Sequence, residues 1–272
     1  MMELVDYCRA HGIVIDFPPP IGYWKRYHTV DHPKKRNGAV KFMGDHAFVQ
    51  NHATDTEVSI WKPDSISEGA RRDYAQLVQK AEQDKVRMQE KAAIKAKDLL
   101  NGALLGRHPY LKAKGFPDEE GWVNDKRLII PMRVDGVLVG CQVIDSDGEK
   151  KFLSGQKSSG ASFDFDNKGK HFLCEGYATG LSLRHALRCL KRNYVIHVCF
   201  SAGNMLKLAQ KFGGYVIADN DESGTGERVA KQTGLPYWMS DVVGEDANDA
   251  HQRLGLFKFT QSLTPCSISM PR

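Results

Sequence analysis

From Lys170 onward the chain alternates short apolar runs with helix-forming segments, and this alternation limits its fold more than any other feature. Apolar runs fall at 171–174, 194–200, 214–218 and 236–240, and segments of helical composition at about 178–192, 204–212, 224–233 and 247–254. Strands separated by single helices at this spacing predict right-handed βαβ units and a parallel sheet covered by helices. In such sheets function gathers at the carboxyl ends of the strands, where helix N-termini point inward. Glu175 follows the first run and Asp219-Asn-Asp221 follows the third, so neighbouring parallel strands would bring three carboxylates to one edge. A second acidic turn, Gly244-Glu-Asp246-Ala-Asn248-Asp249, follows the fourth run and offers further oxygens. A loose acidic pocket suits Mg²⁺ or Mn²⁺, which take few carboxylates and keep waters, better than a Ca²⁺ cage or a zinc site. Phosphoryl transfer is the chemistry this pattern favours. The competing reading is purely structural: an Asp after a strand often caps a helix, and Asp219 or Glu222 would cap the one that starts near Gly224. Gly224 and Gly226 would let backbone approach a phosphate closely.

The rest of the chain has a different texture. Residues 1–62 are rich in turn formers and in aromatic or β-branched residues, which predicts one helix near Leu4 to His11 and then a small β-rich module. No Gly or Pro occurs between Gly69 and Gly102, and Ala70 to Asn101 is composed of strong helix formers, so a long exposed helix is predicted. Its eight basic and seven acidic residues from Pro63 to Leu100 nearly cancel, which favours a solvated linker over a nucleic-acid arm. Two strands, Arg127–Arg133 and Val137–Ile144, flank Asp135-Gly136, a strong hairpin signal. A third strand near Lys151–Leu153 precedes a flexible stretch from Gly155 to Gly160. The last dozen or so residues, with Thr264-Pro265 and Met270-Pro271, read as a loose tail.

Composition removes several classes. Of 272 residues 41% are hydrophobic, enough for a real core. No run is long enough for a membrane helix, and Met-Met-Glu-Leu-Val-Asp lacks the regions of a signal peptide, so a cytoplasmic protein with no membrane partner is expected. The six cysteines form no Cys-x-x-Cys pair, and Cys174, Cys189 and Cys199 lie in apolar segments and read as buried reduced thiols. A formal charge of +5 permits nucleic-acid binding without arguing strongly for it.

Four segments together resemble successive motifs of the Toprim domain. They are Phe172-Leu-Cys-Glu175-Gly-Tyr177-Ala-Thr-Gly180, Ser201-Ala-Gly203-Asn204, Val216-Ile-Ala-Asp219-Asn-Asp221-Glu-Ser-Gly224 and Gly244-Glu-Asp246-Ala-Asn248-Asp249. That domain is shared by DnaG-type primases, topoisomerases and some small nucleases, and the likeness spans about 85 residues. Upstream, Arg107-His-Pro-Tyr-Leu111 with Lys114-Gly115, Leu128-Ile-Ile-Pro131-Met-Arg133 with Gly136, and Phe152-Leu-Ser-Gly155-Gln-Lys157 with Gly160 resemble the basic subdomain of the primase catalytic core, as in phage and conjugative-plasmid primases. Together the likeness covers roughly half of the chain. A topoisomerase is not expected, since those enzymes need a tyrosine-bearing strand-passage module beyond these segments.

The resemblance implies an α/β fold. A small zinc-free β-rich module (1–66) would be followed by a linker helix (67–104), a mixed α+β basic subdomain (105–170), a Toprim parallel sheet flanked by helices (171–257) and a tail (258–272). It implies a DNA primase of phage or plasmid replication, working in a bacterial cytoplasm with Mg²⁺ or Mn²⁺, NTPs and a single-stranded DNA template. Glu175, Asp219 and Asp221 would be catalytic and hold the metals, with Asp246 assisting. Arg127, Arg133, Lys157, Lys114 and Arg107 would bind nucleotide or nucleic acid. Bacterial primases usually carry an acid four positions after the Glu, where this chain has Thr179, and a second acid in the last motif, where it has Asn248 beside Asp249. They also carry an N-terminal zinc ribbon, whereas residues 1–62 contain only Cys8. The run from Lys25 to Trp61, with Arg26-Tyr27, Pro33-Lys-Lys-Arg-Asn-Gly38 and Trp61, looks like the zinc-free segment of phage and plasmid relatives; its basic and aromatic residues would hold a single strand, although most of the aromatics would serve a small core. No Gly-x-x-x-x-Gly-Lys-Ser/Thr loop is present, so no helicase is expected within this sequence, and a separate replicative helicase is a candidate partner. The alternatives are a metal-dependent Toprim nuclease and a non-catalytic single-strand-binding replication adaptor.

Overall fold

A computed structural model describes residues 3–55 and 57–263. They form a mixed α/β structure with seven helices and three sheets, divided into two compact units between Arg87 and Met88. Among the described residues no helix is long and apolar enough to cross a membrane.

The first unit begins with α1 (Leu4–Ala10), followed by β1 (Trp24–Tyr27), β2 (Gly38–Phe42), β3 (Ala47–Asn51) and β4 (Ser59–Trp61). The strands form an antiparallel sheet in chain order. Alternation is clean in β3, where Ala47 and Val49 join Val40 and Trp61 in a core with Leu4, Cys8, Ile13 and Ile15. Gly38 is required because a Cβ there would lie 2.7 Å from Ile13 Cγ2. Next comes α2 (Glu68–Asn101), and the division between the units falls within it. The helix read as a linker therefore contributes to both units.

The second unit contains two sheets. The first is antiparallel, built from β5 (Leu104–Gly106), then after α3 (Pro109–Ala113) β6 (Gly121–Asn124), β7 (Arg127–Val134), β8 (Val137–Ile144) and β9 (Lys150–Phe152), again in chain order. Asp135 and Gly136 both take positive φ, 50° and 80°, the conformation that a two-residue hairpin turn demands. One face of this sheet packs Ile129 and Cys141 on Ala96 of α2; the other sends Leu128, Ile130 and Ile144 into the main core.

The remaining elements are β10 (Phe163–Asp166), β11 (Lys170–Cys174), α4 (Tyr177–Cys189), β12 (Tyr194–Val198), α5 (Ala202–Phe212), β13 (Tyr215–Ala218), α6 (Thr225–Thr233), β14 (Tyr237–Met239) and α7 (Ala247–Ser262). Their sheet has the order β10-β12-β11-β13-β14, with β10 antiparallel at the edge and the other four parallel. Both faces are covered. Phe172, Cys174, Ile196, Val198 and Ile217 join α4 and α7 in the main core, while Leu173, Val216 and Ala218 pack on Met205, Leu208 and Ala209 of α5 and Val229 and Ala230 of α6. Burial on both faces explains why these strands read as unbroken apolar runs rather than alternating ones.

Three expectations need correction. The last helix does not stop near 254 ahead of a tail from 258: α7 turns at Gly255 (φ 73°) and continues to Ser262, because Phe259 and Leu263 are buried in the main core. Residues 264–272 of the expected tail, including Cys266, lie outside the described residues. Cys174 and Cys199 are buried as expected, but Cys189 is exposed at the outer end of α4. The edge strand β10 escaped the sequence reading because Phe163-Asp-Phe-Asp166 alternates apolar and acidic residues over only four positions.

Candidate active site at the carboxyl ends of the parallel strands

Strands β11 and β13 pair directly, Cys174 opposite Ile217, so the residues that follow them leave the sheet side by side. Glu175 follows β11 and Asp219 follows β13. Asn220 then fastens the next turn: its side chain donates to Ser240 O at 2.9 Å, its N–H to Glu245 O at 3.0 Å, and its carbonyl accepts from Gly244 N at 2.6 Å. These bonds bring the turn that carries Asp246 against the turn that carries Asp219.

The resulting acids affect one another. Burial, then the charges of Asp246, Glu175 and Asp221, push Asp219 up to about 7. Glu175 is raised by burial and by Asp221, an effect opposed by Lys150 and by the Ala202 N–H at the start of α5. Asp219 Oδ1 is buried without a hydrogen-bond partner. A buried, unpartnered carboxylate oxygen among like charges is costly, and a cation is the partner that would relieve it.

Asp221 and Asp246 have a different character. Burial alone would raise Asp221, but hydrogen bonds from Ser223 Oγ and the N–H groups of Gly226 (2.8 Å) and Thr225 (3.2 Å) outweigh it and hold its pKa down. Asp221 therefore closes the N-terminus of α6, the structural role that the sequence reading gave to Asp219 or Glu222. Asp246 caps α7 in a capping box, accepting from Asp249 N at 2.8 Å while its own N–H donates to Asp249 Oδ2 at 3.3 Å. Gly226 also has an internal reason: a Cβ there would lie 2.1 Å from the Asp219 carbonyl oxygen, so its small size lets α6 close on the strand end. Among the described residues no group of three His, Cys, Asp or Glu is arranged to hold a metal ion. The oxygens that fit one by chemistry are those of Glu175 and Asp219, with Asp246 beside them.

The positions where an acid was expected are filled by packing. Asn248 is fully buried and donates to Lys114 O at 2.9 Å and Ser182 Oγ at 3.0 Å, while accepting from Gln252 at 3.1 Å. It ties α7 to α4 and α3. Thr179 is buried in the first turn of α4, its hydroxyl unpartnered.

The structure separates the basic candidates. Lys114 reaches the acidic turn, with Asp249 Oδ1 3.7 Å from its ammonium. Arg107 pairs with Asp118 at 3.0 Å and Arg127 with Asp125 at 3.6 Å. Arg133 donates to Gly136 O at 3.1 Å and lines a cavity of about 170 Å³ with Asp164, Lys211 and Phe212, in which none of the four acids takes part. Lys157 is exposed in the loop from Gly155 to Gly160. Buried Asn204 anchors that loop, accepting from Gly160 N at 2.6 Å and donating to Ala161 O and Cys199 O at 2.7 and 2.8 Å. Ser201 caps the same helix through Asn204 N at 3.3 Å.

Lys150 was missed. Its ammonium lies 5.6 Å from the centre of the Tyr110 ring; burial and Lys114 lower its pKa, against the pull of Asp246, Asp219 and Glu175. Its signal in the sequence was slight, one of two adjacent lysines on a three-residue strand. No protein-family model matches the chain, and no solved structure matches it.

Proposed function

We propose that the chain is a metal-dependent nucleotidyltransferase of the Toprim class, a DNA primase that makes short RNA primers on single-stranded DNA. The observation that carries this reading is the buried, unpartnered Asp219 oxygen, held with Glu175 and Asp246 at the carboxyl ends of parallel strands. Glu175 and Asp219 would hold Mg²⁺ or Mn²⁺, with Asp246 assisting. A divalent cation bound there supplies charge neutralisation for a triphosphate and lowers the pKa of an attacking hydroxyl.

The chain's own groups do the rest. As a 3′-hydroxyl attacks the α-phosphate and the bond to the leaving pyrophosphate breaks, Glu175 at the end of β11 would take the proton that the hydroxyl loses. Lys150 and Lys114 place two ammonium groups beside the acids, where they would hold the phosphates of the incoming nucleotide. Lys157 stands on a loop pinned by Asn204 and would meet the strand or the triphosphate. Asp221 acts through α6, fixing the turn that presents Asp219, and so is a positioning residue as well as a further acid.

The test is incubation of the full chain with single-stranded DNA, NTPs and Mg²⁺ or Mn²⁺. New oligoribonucleotides are the expected product. A shortened template would identify a Toprim nuclease instead, and a mobility shift without product a replication adaptor. Unchanged synthesis by Glu175→Gln or Asp219→Asn would overturn the assignment.

A further inference from the structure

The turn that follows β12 is bound to the turn that carries Glu175. Cys199 N–H donates to Cys174 O at 2.8 Å and Phe200 N–H to Glu175 O at 3.0 Å, and Ser201 then caps α5 through Asn204 N. Between these fixed points Phe200 takes φ 65°, in the left-handed region that glycine enters freely and a bulky aromatic residue seldom does. Strain of this kind persists where the surrounding structure over-determines it, and it gathers at binding and catalytic sites. Phe200 is partly buried against the main core, and its ring meets that of Phe152 edge to face, with centres 6.1 Å apart and planes at 85°.

Phe152 belongs to the other sheet of this unit and is 47% exposed. It pairs with Gln142 as Lys150 pairs with Ile144. Residues two apart on a strand share a face, so Phe152 stands on the same side of β9 as Lys150, the ammonium that feels Asp246, Asp219 and Glu175. A half-exposed ring, braced by a second ring that is tied to the Glu175 turn, therefore accompanies the acids and the ammonium groups. Oxygens that fit a divalent cation, ammonium groups that fit phosphate and an open aromatic face are met together by a ligand that joins a polyphosphate to a flat ring. A nucleotide is such a ligand. Gln156, the amide nearest to Phe152 along the chain, is turned inward: its Oε1 accepts from Cys141 N at 3.0 Å and Leu153 N at 3.3 Å, and its Nε2 donates to Met132 Sδ at 2.9 Å. It holds the loop rather than reading a base.

We propose that Phe152, braced by Phe200, is the stacking platform for the base of the incoming nucleotide, holding all four bases by ring area without reading their edges. Every base has a flat face, so stacking tolerates all of them and leaves selection to the template. The inference rests on the nucleotidyltransferase reading for the use made of the nucleotide, and it assigns two residues that reading leaves without a role.

2-Aminopurine riboside triphosphate, whose fluorescence stacking quenches, tests the proposal when titrated with the full chain in Mg²⁺ without template. The wild type should quench it, and ATP, GTP, CTP and UTP should displace it within about tenfold of one another. Phe152→Ala should weaken binding about tenfold, the loss expected for one stacking ring, and Phe152→Trp should keep it. Phe200→Leu, which retains an apolar side chain against the core but no ring, should weaken it by a smaller factor. Inorganic triphosphate, which carries no base, should show one inhibition constant for wild type and Phe152→Ala, and unchanged thermal melting of that variant shows that its loss is not unfolding. The proposal is overturned if the wild type does not quench the probe, if Phe152→Ala binds it as wild type, or if inorganic triphosphate loses as much affinity as the nucleotide. It is overturned too if an oligothymidylate displaces the probe as well as ATP does, which would put a base of the strand on the rings. Nucleotide stacked on Phe152 without primer synthesis would sink the primase reading alone; synthesis with a nucleotide KM indifferent to Phe152→Ala would sink this one alone.

Discussion

The two sheets built mainly from short strands differ in what they leave open. In the unit that contains α1, the antiparallel sheet β1–β4 covers one face with core and leaves Trp24 and Ile60 half exposed on the other. The sheet β10–β14 is covered on both faces and offers only the carboxyl ends of its strands. A sheet closed on both sides can act only where backbone leaves the layer. The chemistry of the side chains agrees: carboxylates stand at the edge of the second.

The largest effect should come from that edge. Asp219→Asn is expected to lower primer synthesis at least a hundredfold, measured as labelled oligoribonucleotide per minute, while Asp221→Asn keeps the α6 cap and loses less. Equal losses would mean that Asp221 holds the cation on the same footing as Asp219. Next in size is the doubly covered core. Leu173→Ala, in the middle of β11, should cost about 2–5 kcal/mol in denaturant unfolding, whereas Trp24→Ala on the open face should stay within about 0.5 kcal/mol. A large cost at Trp24 would show that its face is packed rather than presented.

The acidic edge should also show itself as a pH dependence. Asp219 is raised to about 7 in the folded chain, so its contribution to stability is present below the unfolded value near 4 and is lost as pH rises through about 7. Thermal melting of the cation-free protein should therefore fall over that window, and less so for Asp219→Asn. Mn²⁺ added at pH 8 should restore the wild type and leave the variant unmoved. A smaller effect is expected at α6, where Asp221→Ala removes the acceptor of Gly226 N and Thr225 N and should cost about 1 kcal/mol. Smallest is Asp164, whose bond to buried His197 at 2.8 Å offsets its burial and lowers its pKa. That contribution is lost as pH falls below about 4, so Asp164→Asn should shift only the acid limb of the melting profile.

Particular residues show how much of this was legible beforehand. The strands and helices from Lys170 onward were readable because each strand is a run buried on both faces and each helix has its own composition. Asp135-Gly136 announced its hairpin, since few dipeptides tolerate two positive φ angles. The end of α7 was not readable, because Gly255 imitates a helix stop and only burial of Phe259 carries the chain onward. Lys150 gave almost no signal: its place beside the acids depends on β9 pairing with β8 in a different sheet. Asn248 looked like a missing acid and is a buried bridge between helices.

Local order along the chain sufficed to put Glu175, Asp219 and Asp221 at strand ends, since strand periodicity and chain direction are properties of neighbours in sequence. Which carboxylate is left without a partner was decided only by tertiary structure. Asp219 and Asp221 are two residues apart and identical in type, yet the N-terminus of α6 satisfies one and the packing around β13 buries the other. The cap on Asp221 is made by N–H groups four and five residues further on, within reach of a local pattern, whereas the isolation of the Asp219 oxygen depends on packing between elements far apart in sequence.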